Sequence, residues 1–170
     1  AADLDAVMEL GPDGIVQPKA CGGSDVAHLA AMIAVREAEY GLDDGMTKIM
    51  AIGTETARSV FALGTFRGAS HRLIGIAWGG EDLSADLGSE SNRDANGHYT
   101  DPYRLARSLT LMGASAAEVD AIDTVYTNFR DLDGLAAECR DARRDGFVAK
   151  MAIHPAQVPV INETFAPTPE

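Results

Sequence analysis

Leu73-Ile74-Gly75-Ile76-Ala77-Trp78-Gly79-Gly80-Glu81-Asp82-Leu83 decides how the chain is read. The continuous apolar run 73–78 predicts a strand buried on both faces, as strands of parallel sheets are. A glycine pair ends it, and two carboxylates follow where the next helix should begin. Upstream, Met46 to Thr54 reads as another strand and stops at Glu55, while Ile15-Val16-Gln17-Pro18 is a shorter one halted by its proline. Downstream, Ala121 to Val125 and Phe147 to Ala152 complete five strands.

Helical spacing fills the intervals. It predicts helices over 3–10, from an N-cap at Ser24 to Tyr40 with Gly41 closing it, and from Glu55 to about Gly64–Gly68. Asp101-Pro102 has the form of an N-cap followed by proline at the first helical position, with the helix running to about Met112. Further helices are expected over Asp131–Arg144 and from His154-Pro155 to Phe165, with 166–170 as a tail. Strict β–α alternation implies right-handed crossovers and a parallel α/β sheet. An open doubly wound sheet and part of a (β/α)8 barrel both fit. No glycine-rich phosphate fingerprint follows the first strand, which weakens the dinucleotide-binding form. Acids just past strand ends are where a barrel places its chemistry. Composition alone leaves the two near even.

At 170 residues and 46% hydrophobic, the chain suits one domain. Its net charge of −12 argues against nucleic acid or an anionic membrane as partner. No apolar run approaches the roughly 20 residues needed to span a bilayer. Cys21 and Cys139 lie far apart without metal-ligand spacing and read as reduced thiols of a cytoplasmic protein. The chain opens Ala1-Ala2-Asp3, without methionine, and its first residues already read as the middle of a helix.

Glu55 and Asp82 attract a chemical reading. If their strands are neighbours, both side chains converge on the C-terminal mouth. Two carboxylates plus waters are the usual protein contribution to a Mg2+ site, because Mg2+ keeps an octahedral oxygen shell. The plainer alternative makes Glu55 a first-turn acid and Asp82 a helix cap, and spacing alone favours it. Gly79-Gly80-Glu81-Asp82-Leu83 lets backbone approach a ligand, and N–H groups at a helix start can hold an anion. A tight turn explains the same residues.

Several stretches together resemble the HpcH/HpaI aldolase/citrate lyase superfamily, nearest its citrate lyase β-subunit-like branch. They are Gln17-Pro18-Lys19, Thr54-Glu55-Thr56, Trp78 to Leu83 with Asp86-Leu87-Gly88, Ala121 to Val125, Phe129-Arg130-Asp131 and Ile153 to Gln157. They occur in the family's order over nearly the whole chain. The resemblance implies a TIM-type (β/α)8 barrel of which residues 1–165 hold the C-terminal five strands. It implies that Glu55 and Asp82 bind Mg2+, that Glu55 borders the substrate, and that Gly80, Glu81 and Asp82 offer N–H groups to its carboxylate. The implied reaction is reversible carbon–carbon cleavage of a β-hydroxyacyl-CoA such as malyl-, citramalyl- or citryl-CoA. The partners would be a CoA thioester and a 2-oxo acid, and relatives are often trimers. Relatives also carry an arginine on an early strand, and further strands before the one ending in Pro18-Lys19. A 2-oxo acid (pyruvate) class II aldolase and a non-catalytic subunit or scaffold are the rival readings.

Other residues admit plainer roles. Lys19 suits an anionic substrate or a structural ion pair. His154 suits a place near CoA or, more simply, a helix start. His28, His71 and His98 show no ligand spacing. Asp123 and Asp131 sit at strand-end positions, with capping sufficient for Asp131. Trp78 and the methionines read as core, and the polar stretch 89–99 as a lid or a solvated connection.

Overall fold

The computed structural model describes residues 2–167, so Ala1 and residues 168–170 of the expected tail lie outside it. Its centre is a five-stranded, all-parallel sheet in the order β1-β2-β3-β4-β5. The strands are β1 (Gly14–Gln17), β2 (Lys48–Ile52), β3 (Leu73–Ala77), β4 (Asp120–Asp123) and β5 (Ala149–Lys150). A doubly wound sheet reverses its order at a switch point. This one never reverses, which leaves the barrel-type arrangement.

Sequential order with right-handed crossovers sends the helices between the strands to the same face. Among the described residues, those helices leave the opposite face uncovered. Val16 and Ile74 are accordingly 52% and 50% exposed, so the expectation that 73–78 is buried on both faces fails at Ile74. In a closed barrel, side chains from the other strands fill that space.

The helices are α1 (Ala2–Val7), α2 (Gly23–Tyr40), α3 (Ala57–Val60), α4 (Gly80–Leu87), α5 (Asp101–Ala117), α6 (Leu132–Asp145) and α7 (Val158–Phe165). In α2, Val26, Leu29, Ile33 and Glu37 are buried at three- and four-residue spacing, which aligns them on one face. Gly41 closes the helix in the left-handed region at φ 68°, as expected. The helix starts one residue before the predicted Ser24 cap. Asp25 accepts the Cys21 N–H at 2.8 Å, and Thr65 Oγ1 accepts the Gly23 N–H at 2.9 Å, so no serine cap is needed.

Three other boundaries moved for identifiable reasons. The helix expected from Glu55 is a single turn, α3, capped by Thr56 and followed by a 3-10 turn at Leu63–Phe66. The cap of α5 is Thr100, with Asp101 already helical, and α5 passes Met112 to end at Ala117. Gly113 does not stop it, because a Cβ there would lie 3.1 Å from the Leu63 Cβ; the glycine serves close packing. The fifth strand shrinks to Ala149–Lys150 at the sheet edge, where only β4 pairs with it.

Asp131 is the N-cap of α6, accepting the Gly134 N–H at 2.9 Å and the Tyr126 hydroxyl at 2.8 Å. Asp131→Ala should cost about 1 kcal/mol of stability, measurable by urea unfolding, without changing the sheet. Both cysteines are free thiols, Cys139 buried in a small cluster with Leu135 and Ile161 and Cys21 half-buried.

Candidate active site

The ends of β2 and β3 are held side by side beyond the strands themselves. Gly53 donates its N–H to the Ala77 carbonyl at 2.8 Å, and Gly79 donates to the hydroxyl of the buried Thr54 at 3.2 Å. The chain then turns outward at two glycine- and threonine-marked points. Thr56 and Ser59 form a reciprocal capping box at the start of α3. Glu55 therefore precedes the helix and is not a first-turn acid. It is 7% exposed, unusual for a carboxylate with no buried ionic partner.

Gly79 explains how Glu55 fits. A Cβ at residue 79 would lie 2.5 Å from the Glu55 Cγ and 3.3 Å from the Ile52 Cγ2. Only glycine leaves that space. Gly79→Ala should push Glu55 aside and lower any activity that depends on the Glu55 carboxylate about 10²-fold, with the unfolding midpoint little changed. Steady-state kinetics beside a denaturation curve checks both.

Asp82 is the third residue of α4 and does not cap it. The cap position belongs to Gly79, which has no side chain to offer the first N–H groups. Those N–H groups and the positive end of the helix dipole suit an anion. Asp86, one turn on, accepts the Ala57 N–H at 2.7 Å and ties α4 to the start of α3. Glu81 turns its side chain away to accept from Asn92 Nδ2 at 2.8 Å, leaving its backbone N–H at the helix start.

Lys19 joins the two acids. Its backbone N–H donates to Glu55 Oε2, and its Nζ lies 2.5 Å from Asp82 Oδ1. Its φ of 52° is rare for a residue with a Cβ. The Lys19–Asp82 pair is half-exposed or more on both sides and contributes little stability. Burial pushes the Glu55 carboxyl above its ordinary range, opposed by the Lys19 N–H and reinforced by the nearby Asp82 charge. The ammonium of Lys19 holds Asp82 below its ordinary range. A buried acid and an exposed acid, with one ammonium paired to the exposed one, make a site that favours positive charge. Among the described residues no three His, Cys, Asp or Glu side chains cluster as a metal cage. Two carboxylates suit Mg2+, which keeps most of its waters, better than ions needing a fuller protein shell.

The remaining candidates fall elsewhere. His154 Nδ1 accepts the Ala156 N–H at 3.1 Å, the plainer helix-start role, and its ring stacks on Phe129 at 4.7 Å. Asp123 is 3% exposed and bonded to Trp78, Lys150 and Arg107. The stretch 89–99 is not a bare connection, because Arg93 and Tyr99 bridge as an antiparallel pair and Asp94 caps the turn between them. Reading the sequence missed the roles of Gly79 and Asp123. The paired glycines signalled a close approach without naming Glu55 as its beneficiary.

The sequence pattern of the HpcH/HpaI aldolase/citrate lyase family matches residues 1–155. The chain belongs to that family. A citrate lyase subunit beta-like protein of Mycobacterium tuberculosis is 34% identical over 170 residues, covering 100% of this chain and 56% of the relative. The mitochondrial citramalyl-CoA lyase of Rattus norvegicus is 38% identical over 126 residues, 74% of this chain and 34% of the relative. The crystal structure of CitE from M. tuberculosis with magnesium and acetoacetate superposes with a TM-score of 0.82 at 34% identity, covering 98% of this chain and 63% of that one. The same protein has been crystallised with magnesium, acetoacetate and coenzyme A. The fold is thus the α/β, TIM-type barrel of these family members, and five strands are part of it. The chain spans little more than half the length of the curated relative it matches end to end.

Proposed function

We propose that the protein carrying this chain is a Mg2+-dependent carbon–carbon lyase acting on a β-hydroxyacyl-CoA. The observation that carries it is the convergence of Glu55 and Asp82 at the ends of adjacent β2 and β3, beside the uncapped N-terminus of α4. Bound Mg2+ would act as a Lewis acid on the carbonyl oxygen of a 2-oxo acid, or on the corresponding hydroxyl in the cleavage direction. Glu55 and Asp82 would hold the metal and attack nothing themselves. The N–H groups of Gly80, Glu81 and Asp82 would hold the substrate carboxylate. In cleavage, the bond between the α- and β-carbons breaks, its electron pair becomes the thioester enolate, and the hydroxyl proton leaves to a base. Protonation of the enolate then yields an acyl-CoA beside the 2-oxo acid.

Support for the CoA class comes from the relatives, whose names include a citramalyl-CoA lyase and a citrate lyase β-subunit-like protein. The family's description also covers aldolases, which keeps the free 2-oxo acid aldolase as the rival reading. We further propose that residues 1–165 form the C-terminal part of one (β/α)8 barrel domain with 166–170 as a tail. The protein would be a cytoplasmic homo-oligomer, a trimer by family resemblance. No described helix is long and apolar enough to cross a membrane.

The test is cleavage of malyl-, citramalyl- and citryl-CoA by the full-length protein, with and without Mg2+. Metal-dependent release of an acyl-CoA from one of them supports the lyase. Metal-dependent cleavage of free 4-hydroxy-2-oxo acids alone would move the assignment to the aldolase.

A further inference from the structure

Behind the N-terminus of α4, six side chains from five segments close into a ring. Trp78, just past β3, donates its Nε1–H to Asp123 Oδ1 at 2.6 Å. Lys150, the last residue of β5, donates to Asp123 Oδ2 at 2.9 Å and to Glu138 Oε2 at 3.3 Å. Glu138 accepts from Arg93 at 2.6 Å, and the Arg93 guanidinium lies 3.8 Å over the Tyr99 ring. Tyr99 returns to Trp78 edge to face, with centroids 4.9 Å apart. The side chains of Lys150 and Asp123 are 0% and 4% exposed.

The ring lies directly under the start of α4. A Cβ on Gly80 would sit 3.0 Å from Trp78 Cζ3 and 3.5 Å from Tyr99 Cε1, so the two aromatic rings are the floor beneath that residue. From the same hairpin as Arg93 and Tyr99, Asn92 bonds to Glu81 at 2.8 Å. A buried ion pair is a poor source of stability compared with apolar packing of the same volume. What it supplies is direction: each bond accepts one orientation of its partner, and the chain of bonds fixes the indole.

We propose that Lys150 and Asp123 are positioning residues, acting through Trp78 and Tyr99 to fix the amides of Gly80, Glu81 and Asp82. That these amides hold a substrate carboxylate rests on the function proposed above; that they are fixed from β4 and β5 does not. The ring couples the start of α4 to strands one and two places away in the sheet.

Hydrogen exchange on the full-length protein tests this without requiring turnover. The variants are Trp78→Phe, which keeps an aromatic ring but loses the N–H donor and the second ring of the indole, and Lys150→Met, with Lys150→Arg as the conservative control. The amides of Gly79, bonded to Thr54, and of Leu83, which makes the first helical bond of α4, should exchange about 10-fold faster in the first two and near the wild-type rate in the third. Amides of α2 at 26–33 should be unchanged in Trp78→Phe. Where the wild type turns over, KM for the 2-oxo acid in the condensation direction should rise about 10-fold with kcat and Mg2+ half-saturation held. Unchanged exchange at Gly79 and Leu83, or acceleration spread equally over α2 in Trp78→Phe, overturns the proposal. So does selective exchange with an unaltered KM in an active enzyme. A selective exchange effect in a wild type that neither turns over nor binds a 2-oxo acid supports the coupling and counts against the lyase assignment alone.

Discussion

On the function proposed for the full-length protein, Asp82→Ala should lower Mg2+-dependent turnover of the CoA thioester about 10³-fold while leaving the protein folded. The magnitude follows from removing one of two protein ligands to a Lewis acid that supplies several kcal/mol of transition-state stabilisation, at about 1.4 kcal/mol per factor of ten. The folded state has little to lose. Asp82 is half-exposed, and its one ion pair is with an exposed lysine. Unfolding curves of variant and wild type should agree to within about 1 kcal/mol. Glu55→Gln should cost turnover similarly, since the amide keeps the shape and loses the charge. Full turnover in either variant would remove that residue from the metal site.

Arg72→Met should destabilise the fold by about 3–5 kcal/mol, because it leaves a buried carboxylate without its counter-charge. Arg72 and Glu37 are each 1% exposed and pair through two bonds, of 2.8 and 2.6 Å. The pair joins α2 to the residue before β3, and Glu37 also accepts the N–H groups of Thr47 at 2.8 Å and Gly45 at 3.0 Å. Burial pushes the Glu37 carboxyl up, but Arg72 and those two N–H groups outweigh it and bring it from 4.5 to about 2. A carboxyl depressed in the folded state binds its proton more readily when unfolded. Its contribution is therefore complete above about pH 4.5 and is lost as pH falls from there toward 2. The loss amounts to about 3 kcal/mol over that window. Urea unfolding of wild type at pH 7 and pH 3, beside Arg72→Met at pH 7, measures both effects.

The sheet was legible because each strand announced itself by an apolar run stopped by glycine, proline or an acid. Leu73 to Trp78 and Met46 to Thr54 lie in the predicted order, and Gly41 and Asp131 end and start the helices expected of them. What could not be read from local pattern was strand order, on which the choice between doubly wound sheet and barrel depended. Order is a property of pairing between segments tens of residues apart, and it came from the ladder itself. Boundaries moved for the same reason. Gly113 looks like a stop until Leu63 is seen packed against it, and Ser24 looks like a cap until Asp25 and Thr65 have taken the N–H groups.

Of the candidate site, Glu55 and Asp82 were visible as acids at strand ends, but spacing alone favoured a helix-start role for each. The structure removes that alternative at Glu55, which precedes the Thr56 cap, and removes the capping role at Asp82, which stands inside the helix. Lys19 was balanced between two roles and forms the ion pair. Asp123 and Lys150 carried no sequence signal of partnership. Their meeting depends on β4 and β5 being neighbours in register, Asp123 opposite Lys150.

The most direct test of the metal site is a crystal structure of the full-length protein with Mg2+ and a 2-oxo acid such as pyruvate. The account predicts one Mg2+ ligated by Glu55 and Asp82, the Lys19 ammonium displaced from Asp82, and the ligand's carboxylate on the N–H groups of Gly80 to Asp82. A metal bound elsewhere, or an oxo acid seated away from α4 with Lys19 still paired to Asp82, would contradict it.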